Sequence, residues 1–95
     1  MFVLLLTYTK PLEDVDALMR DHMKWVNEQY AAGRFVVSGR MIPREGGIIV
    51  AIGGTREEIE ALMREDPFVA RGLAEVRVVE FRASQRAPDL PARIT

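Results

Sequence analysis

Two segments of the chain are apolar on both sides. In FVLLLTYT at 2–9, an extended backbone sends Phe2, Leu4, Leu6 and Tyr8 one way and Val3 and Leu5 the other. In IIVAI at 48–52, Ile48, Val50 and Ile52 oppose Ile49 and Ala51. An antiparallel sheet with one wet face alternates apolar and polar residues, so this chain needs a fold that covers both faces of its sheet. The opening run, about seven apolar residues, is far short of the ~20 that a membrane-spanning helix requires. It has no basic stretch before it and no small-residue cleavage site after it, and reads as a buried strand of a cytoplasmic protein with no membrane partner.

Pro11 ends that strand, and Glu13, Asp14 and Asp16 follow where the positive end of a helix dipole favours acidic side chains. Val15, Leu18, Met19, His22, Val26 and Tyr30 then recur at helical spacing, up to a stop at Gly33. The sequence predicts a second strand over 34–40, around Phe35, Val36 and Val37, and a turn-rich connection over 41–47 with Pro43 and Gly46-Gly47. After the third strand and Gly53-Gly54, Thr55-Arg56-Glu57-Glu58 has the pattern of a capping box. The helix it opens carries Ile59, Leu62 and Met63 and ends near Asp66, because Pro67 disfavours helical geometry in the residue before it. Residues 68–72 add a further turn, and a last strand spans 76–82.

The order βαββαβ, without repeat or linker, is that of an α+β ferredoxin-like sandwich: a four-stranded antiparallel sheet with two helices on one face. Two helices leave the second apolar face open, and another copy of the chain is its simplest cover. The expectation is a homodimer packed through the second sheet face, with 1–82 as the folded domain. The segment 83–95, with two prolines and few large apolar groups, reads as an extended tail.

Composition narrows the chemistry. Thirteen basic against fourteen acidic residues leave a net charge of −1, which makes no phosphate-binding surface, so nucleic acid is not an expected partner. With no cysteine, disulfides, thiolate nucleophiles and cysteine-ligated metal centres are excluded. With one histidine, His22, so is a multi-histidine metal site within a chain. No metal or organic cofactor is expected.

Two polar residues interrupt the helical stripes at equivalent places. His22 lies seven residues beyond Val15, and Asp66 seven beyond Ile59, about two turns in each case. Both therefore lean toward the sheet. Asp66 stands near a helix C-terminus, where the dipole disfavours a carboxylate, and burying it unpaired would cost several kcal/mol. The imidazole of His22 is the group that can offset this, since the two helices are neighbours in this fold. Structural readings stand beside the functional one: a histidine packed on an apolar stripe, and Asp-Pro as a plain helix-to-turn signal. Ser38-Gly39 offers a hydroxyl and bare backbone beside a ligand, or a strand bulge. Tyr8 presents a phenol at a strand end. Arg40 and Arg44 suit a carboxylate, or simply solvent. Trp25 is expected at the helix edge or the dimer interface.

Taken together, MFVLLLTY, His22, AAGRFVVSGR at 31–40, GGIIVAIGGTREEIEAL at 46–62 and EDPFVARGLAEVRVVEF at 65–81 resemble the YciI-like (YCII-related) family over residues 1–82. The resemblance implies a dimeric ferredoxin-like α/β barrel whose cleft holds a His–Asp pair, mapping onto His22 and Asp66, and a serine mapping onto Ser38. The family is similar to muconolactone isomerases and includes a dehydrochlorinase of a chlorinated hydroxyhydroquinone. Arg40 departs from the family pattern, in which a proline commonly follows Ser-Gly.

The function this implies is cofactor-independent acid–base catalysis, by a lyase or isomerase acting on a small organic acid or ring-derived metabolite. His22 moves the proton, Asp66 fixes its tautomer, Ser38 and Tyr8 orient the substrate, and Arg40 pairs with an anionic group. The alternatives are a non-catalytic metabolite-binding or regulatory module of the same fold and, by fold analogy alone, a cofactor-less oxygenase.

Overall fold

A computed structural model describes residues 1–94. Among them the elements run β1 (Phe2–Tyr8), α1 (Leu12–Ala17), α2 (Met19–Ala31), β2 (Phe35–Arg40), β3 (Gly46–Ala51), α3 (Arg56–Met63), α4 (Pro67–Ala70) and β4 (Ala74–Glu80). The strands form one antiparallel sheet in the order β2-β3-β1-β4. This is the expected α+β ferredoxin-like arrangement, with both β–α–β crossings laid on one face.

That face holds the core. Phe2, Leu4 and Leu6 of β1 pack with Ile49 and Ala51 of β3 and Phe35 of β2, against Val15, Val26, Ile59, Leu62 and Met63 of the helices. Each large side chain so buried stabilises the fold by about 1.5–3 kcal/mol. On the other face Val3 lies opposite Val50 and Leu5 opposite Ile48, with Val79 of β4 opposite Val3. This face is apolar over β1, β3 and Val37, with the charged Glu75 and Arg77 of β4 on its border, and among the described residues no helix covers it: Val37 is 57% exposed and Ile48 39%.

The first helical stretch differs from the single helix that the stripe implies. It breaks at Leu18, whose backbone (φ −104°, ψ 2°) lies in the bridge region between helix and strand. The Leu18 N–H donates three residues back, to Val15 O (3.1 Å), and α2 restarts with His22 N donating to Leu18 O (3.1 Å). Leu18 and Met19 stay partly buried against the core on either side of the break, so the stripe survives it. Trp25 is no edge residue. It is 7% exposed, within the core of a single chain, and meets the Phe35 ring edge-on at 5.6 Å.

The second helical stretch starts as expected. Thr55 Oγ1 accepts from Glu58 N (3.2 Å) and Glu58 Oε1 accepts from Thr55 N (3.2 Å), a complete capping box. At the head of β3, Gly46 is required by contact: a Cβ there would collide with the Leu6 carbonyl. Beyond β4, Phe81 and Met1 exchange backbone hydrogen bonds of 2.9 Å. The following segment turns back through Arg86, whose Nη1 donates to the carbonyls of Pro91, Ala92 and Ile94. Thr95, the end of the segment read as a tail, lies outside the described residues. No helix among the described residues is long and apolar enough to cross a membrane.

Candidate functional site

Pro67 shapes the first half of the site. It forces Asp66 out of helical geometry (φ −58°, ψ 124°) and then occupies the first position of α4. Asp66 thereby becomes the N-cap of α4, its Oδ1 accepting from Phe68 N at 3.1 Å. This corrects the placement read from the sequence. The carboxylate does follow the end of α3, but it faces the N-terminus of the next turn, where backbone N–H groups favour negative charge.

The same Oδ1 lies 2.7 Å from His22 Nδ1 on α2. Asp66 is 0% exposed and the His22 side chain 13%. Asp66 Oδ2 is buried and has no hydrogen-bond partner among the described residues. An ionised carboxylate only accepts, so Nδ1 carries the hydrogen and, in the neutral ring, Nε2 keeps its lone pair. Phe68 stacks on the imidazole with centroids 4.0 Å apart and planes within 8°. Tyr8 in turn meets Phe68 edge-on at 5.9 Å. Asp66-Pro67-Phe68 thus supplies both the acceptor that sets the tautomer and the plate that fixes the ring plane.

The second half comes from β2 and depends on a bulge. Phe35 pairs with Ala51 and Val37 with Val50, which leaves Val36 as an extra residue. Unbroken alternation from Phe35 would put Ser38 and Arg40 on the outer face. With the bulge, Ser38 pairs with Ile49 and Arg40 with Gly47, and both face the helices. The bulge lies at Val36, not at Ser38-Gly39 where the sequence allowed one.

These parts meet in a cavity of about 180 Å³ between α2 and the sheet, lined by Leu6, Tyr8, His22, Ser38, Arg40 and Phe68 among others. An apolar cavity of about 150 Å³ accepts benzene, so the space suits one six-membered ring with small substituents. Of the five site residues singled out from the sequence, Tyr8, His22, Ser38 and Arg40 line it, and Asp66 is fully buried and reaches the site through its contact with His22. The Arg40 guanidinium makes no hydrogen bond or ion pair with any described residue. Arg44, the other arginine considered for an anion, is engaged elsewhere. It forms a two-pronged pair with Asp16 of α1, and its guanidinium carbon lies 6.0 Å from the centre of the Tyr8 ring. The hydrogen bond from Arg44 holds the Asp16 carboxyl below its ordinary range against the opposing effect of burial, with the charges of Arg44 and Arg40 adding to it. The Asp16 hydrogen bond correspondingly raises Arg44.

Sequence reasoning missed two partners. Phe68 appeared only as part of a further turn, though its position directly after Asp-Pro was the available signal. Tyr30 was counted as the last residue of a stripe; its hydroxyl lies 2.6 Å from Ser38 Oγ. Nothing in the sequence marked that contact, because the bulge that turns Ser38 toward α2 does not show in the alternation.

Fold and site together define a small α+β protein with a ring-sized cleft between one helix and the sheet, floored by strand residues and closed by a buried His–Asp contact. The sequence profile of the YCII-related domain matches residues 1–82, and the chain belongs to that family. Among solved structures it is similar to 5-chloro-2-hydroxyhydroquinone dehydrochlorinase from Burkholderia phenoliruptrix, determined in complex with 2,5-dihydroxybenzoquinone. The TM-score is 0.71 and the identity 17%, with 86% of this chain and 94% of that chain covered. No curated protein matches the sequence.

Proposed function

We propose that the protein is a cofactor-independent acid–base enzyme, a lyase or isomerase acting on a small ring-derived acid. The observation that carries the reading is the 2.7 Å contact between His22 Nδ1 and Asp66 Oδ1 beside a cavity sized for one ring. In this reading His22 Nε2 is the base. Asp66 holds the ring in the tautomer that leaves Nε2 unprotonated and stabilises the imidazolium once the proton arrives. The stacked Phe68 face favours that positive charge as well. Tyr8 and Ser38 orient the substrate, and Arg40, the unpaired guanidinium at the cavity, takes its anionic group. The dehydrochlorinase of similar fold, with a dihydroxybenzoquinone bound, supports a lyase-type reaction on an oxygenated ring. The uncovered apolar sheet face supports a homodimer packed through it; the ring-sized cavity supports a small molecule as the other partner, and a net charge of −1 favours no nucleic acid.

The test is deuterium incorporation. Single-ring hydroxy and carboxylic acids, chlorinated hydroxyhydroquinones included, are incubated in D₂O with the protein, and C–H exchange and halide release are followed by NMR and chloride assay. Exchange or release that is lost in His22→Asn supports the reading. Ligands that bind and come off unchanged, with no exchange, would replace it with a metabolite-binding module.

A further inference from the structure

The contact between Tyr30 and Ser38 gives the cavity a direction. A phenol is more acidic than an alcohol, so of the two hydroxyls 2.6 Å apart Tyr30 is the better donor. Once Ser38 Oγ accepts from Tyr30, the hydrogen of Ser38 is left for a third group. Ser38 lines the cavity on the helix-facing side of β2, with Arg40 two residues along on the same side and His22 across from them on α2. Tyr30 is itself braced, its ring meeting Phe35 edge-on at 6.1 Å, and Phe35 is 1% exposed. The donor end of a braced two-hydroxyl chain therefore serves the cavity, beside a guanidinium with which no described residue forms a direct ion pair.

We propose that Tyr30 donates to Ser38 and thereby makes Ser38 the hydrogen-bond donor of an oxyanion subsite, one that takes the enolate or phenolate oxygen of the ligand. Tyr30 is a positioning residue that acts through Ser38. The inference rests on the acid–base reading of His22 and specifies where the resulting charge goes. When Nε2 takes a proton from carbon next to a carbonyl, the C–H pair becomes a C=C bond and the carbonyl π pair moves onto oxygen, where Ser38 donates and Arg40 faces it. For an isomerase the carbonyl re-forms as the imidazolium returns the proton at another carbon. For a lyase the carbonyl re-forms as the electron pair expels an anionic leaving group from the β carbon. Neither route needs an oxidant or a second substrate. Hydrogen bonds in a chain polarise one another, so the Tyr30 hydroxyl strengthens Ser38 most when the acceptor carries charge.

The experiment uses 4-nitrophenol, a single-ring probe whose ionised form is read by its visible absorbance. Bound to the wild-type protein, it is expected to ionise at lower pH than in buffer. Tyr30→Phe keeps the ring contact with Phe35 and loses only the hydroxyl. It should weaken the bound ionisation equilibrium by about two- to tenfold, the range for one hydrogen bond. Ser38→Ala should lose at least as much, and Tyr30→Phe in the Ser38→Ala background should add nothing. His22→Asn should leave the Tyr30 effect in place, which separates the subsite from the base. Circular dichroism and melting curves check that each variant folds. Nitrophenol that fails to bind, binds with unchanged ionisation, or responds to Tyr30→Phe equally with and without Ser38 would overturn the subsite. The deuterium-exchange result would stand independently of it.

Discussion

The buried carboxylate of Asp66 decides how the imidazole should be probed. His22→Ala would leave Asp66, at 0% exposure, with the backbone N–H of Phe68 as the remaining hydrogen-bond donor to its carboxylate. Breaking a buried pair in this way costs about 3–5 kcal/mol, so lost activity could not be told from lost structure. His22→Asn places an amide nitrogen near the Nδ1 position and retains the bond. We expect it to melt close to wild type while turnover falls by about 10²–10⁴, the range for a positioned general base, as measured by melting curves beside the exchange assay. A second residue-scale consequence concerns Asp16. Its carboxyl is held below the ordinary 3.8 by Arg44, so the pairing contributes stability above that value and loses it as the pH falls through the lower, folded-state value. Asp16→Asn should therefore be less stable than wild type near neutrality. The gap should close in acid below pH ~3.8 and shrink with added salt, as followed by denaturant midpoints.

Among the elements, legibility followed the range of the interaction that shapes each one. Capping chemistry is local, and the Thr55 box is present as the sequence implies. The His22–Asp66 contact was legible for a similar reason: each residue sits at a fixed offset from its own stripe, and the fold brings the two stripes together. The break at Leu18 was not. No proline or glycine marks it, and no side-chain hydrogen bond caps either helix end there. Tyr30–Ser38 lay further out of reach, because it depends on a one-residue irregularity in the pairing of β2 with β3. Arg44 shows the same limit from the other side. Its loop position suggested a ligand or solvent, whereas packing beside α1 gave it Asp16. The element carrying the site on the sheet side is thus the one whose geometry the sequence disclosed least.

At the scale of the molecule, the two apolar faces of the sheet have different tasks. One is filled by the helices and encloses the cavity. The other is left with Val37 at 57% and Ile48 at 39% exposure, which suits cover by a second copy. Val37→Asp puts a charge on that face, on the edge strand β2 and away from the cavity, and we expect it to convert a dimer into a monomer in light scattering. A wild-type monomer at micromolar concentration would remove the dimer proposal. In genetic terms, β2 is one codon longer than its ladder requires. Deleting the codon for Val36 leaves the pairs Phe35–Ala51, Ser38–Ile49 and Arg40–Gly47 to form an ordinary strand, so the shortened protein should keep its cavity and its response to nitrophenol. Relatives can gain or lose a residue at this point without moving the serine to the other face. The number of residues between histidine and serine is therefore a poor ruler for this site, and the distance back from the glycine opposite Arg40 is a good one.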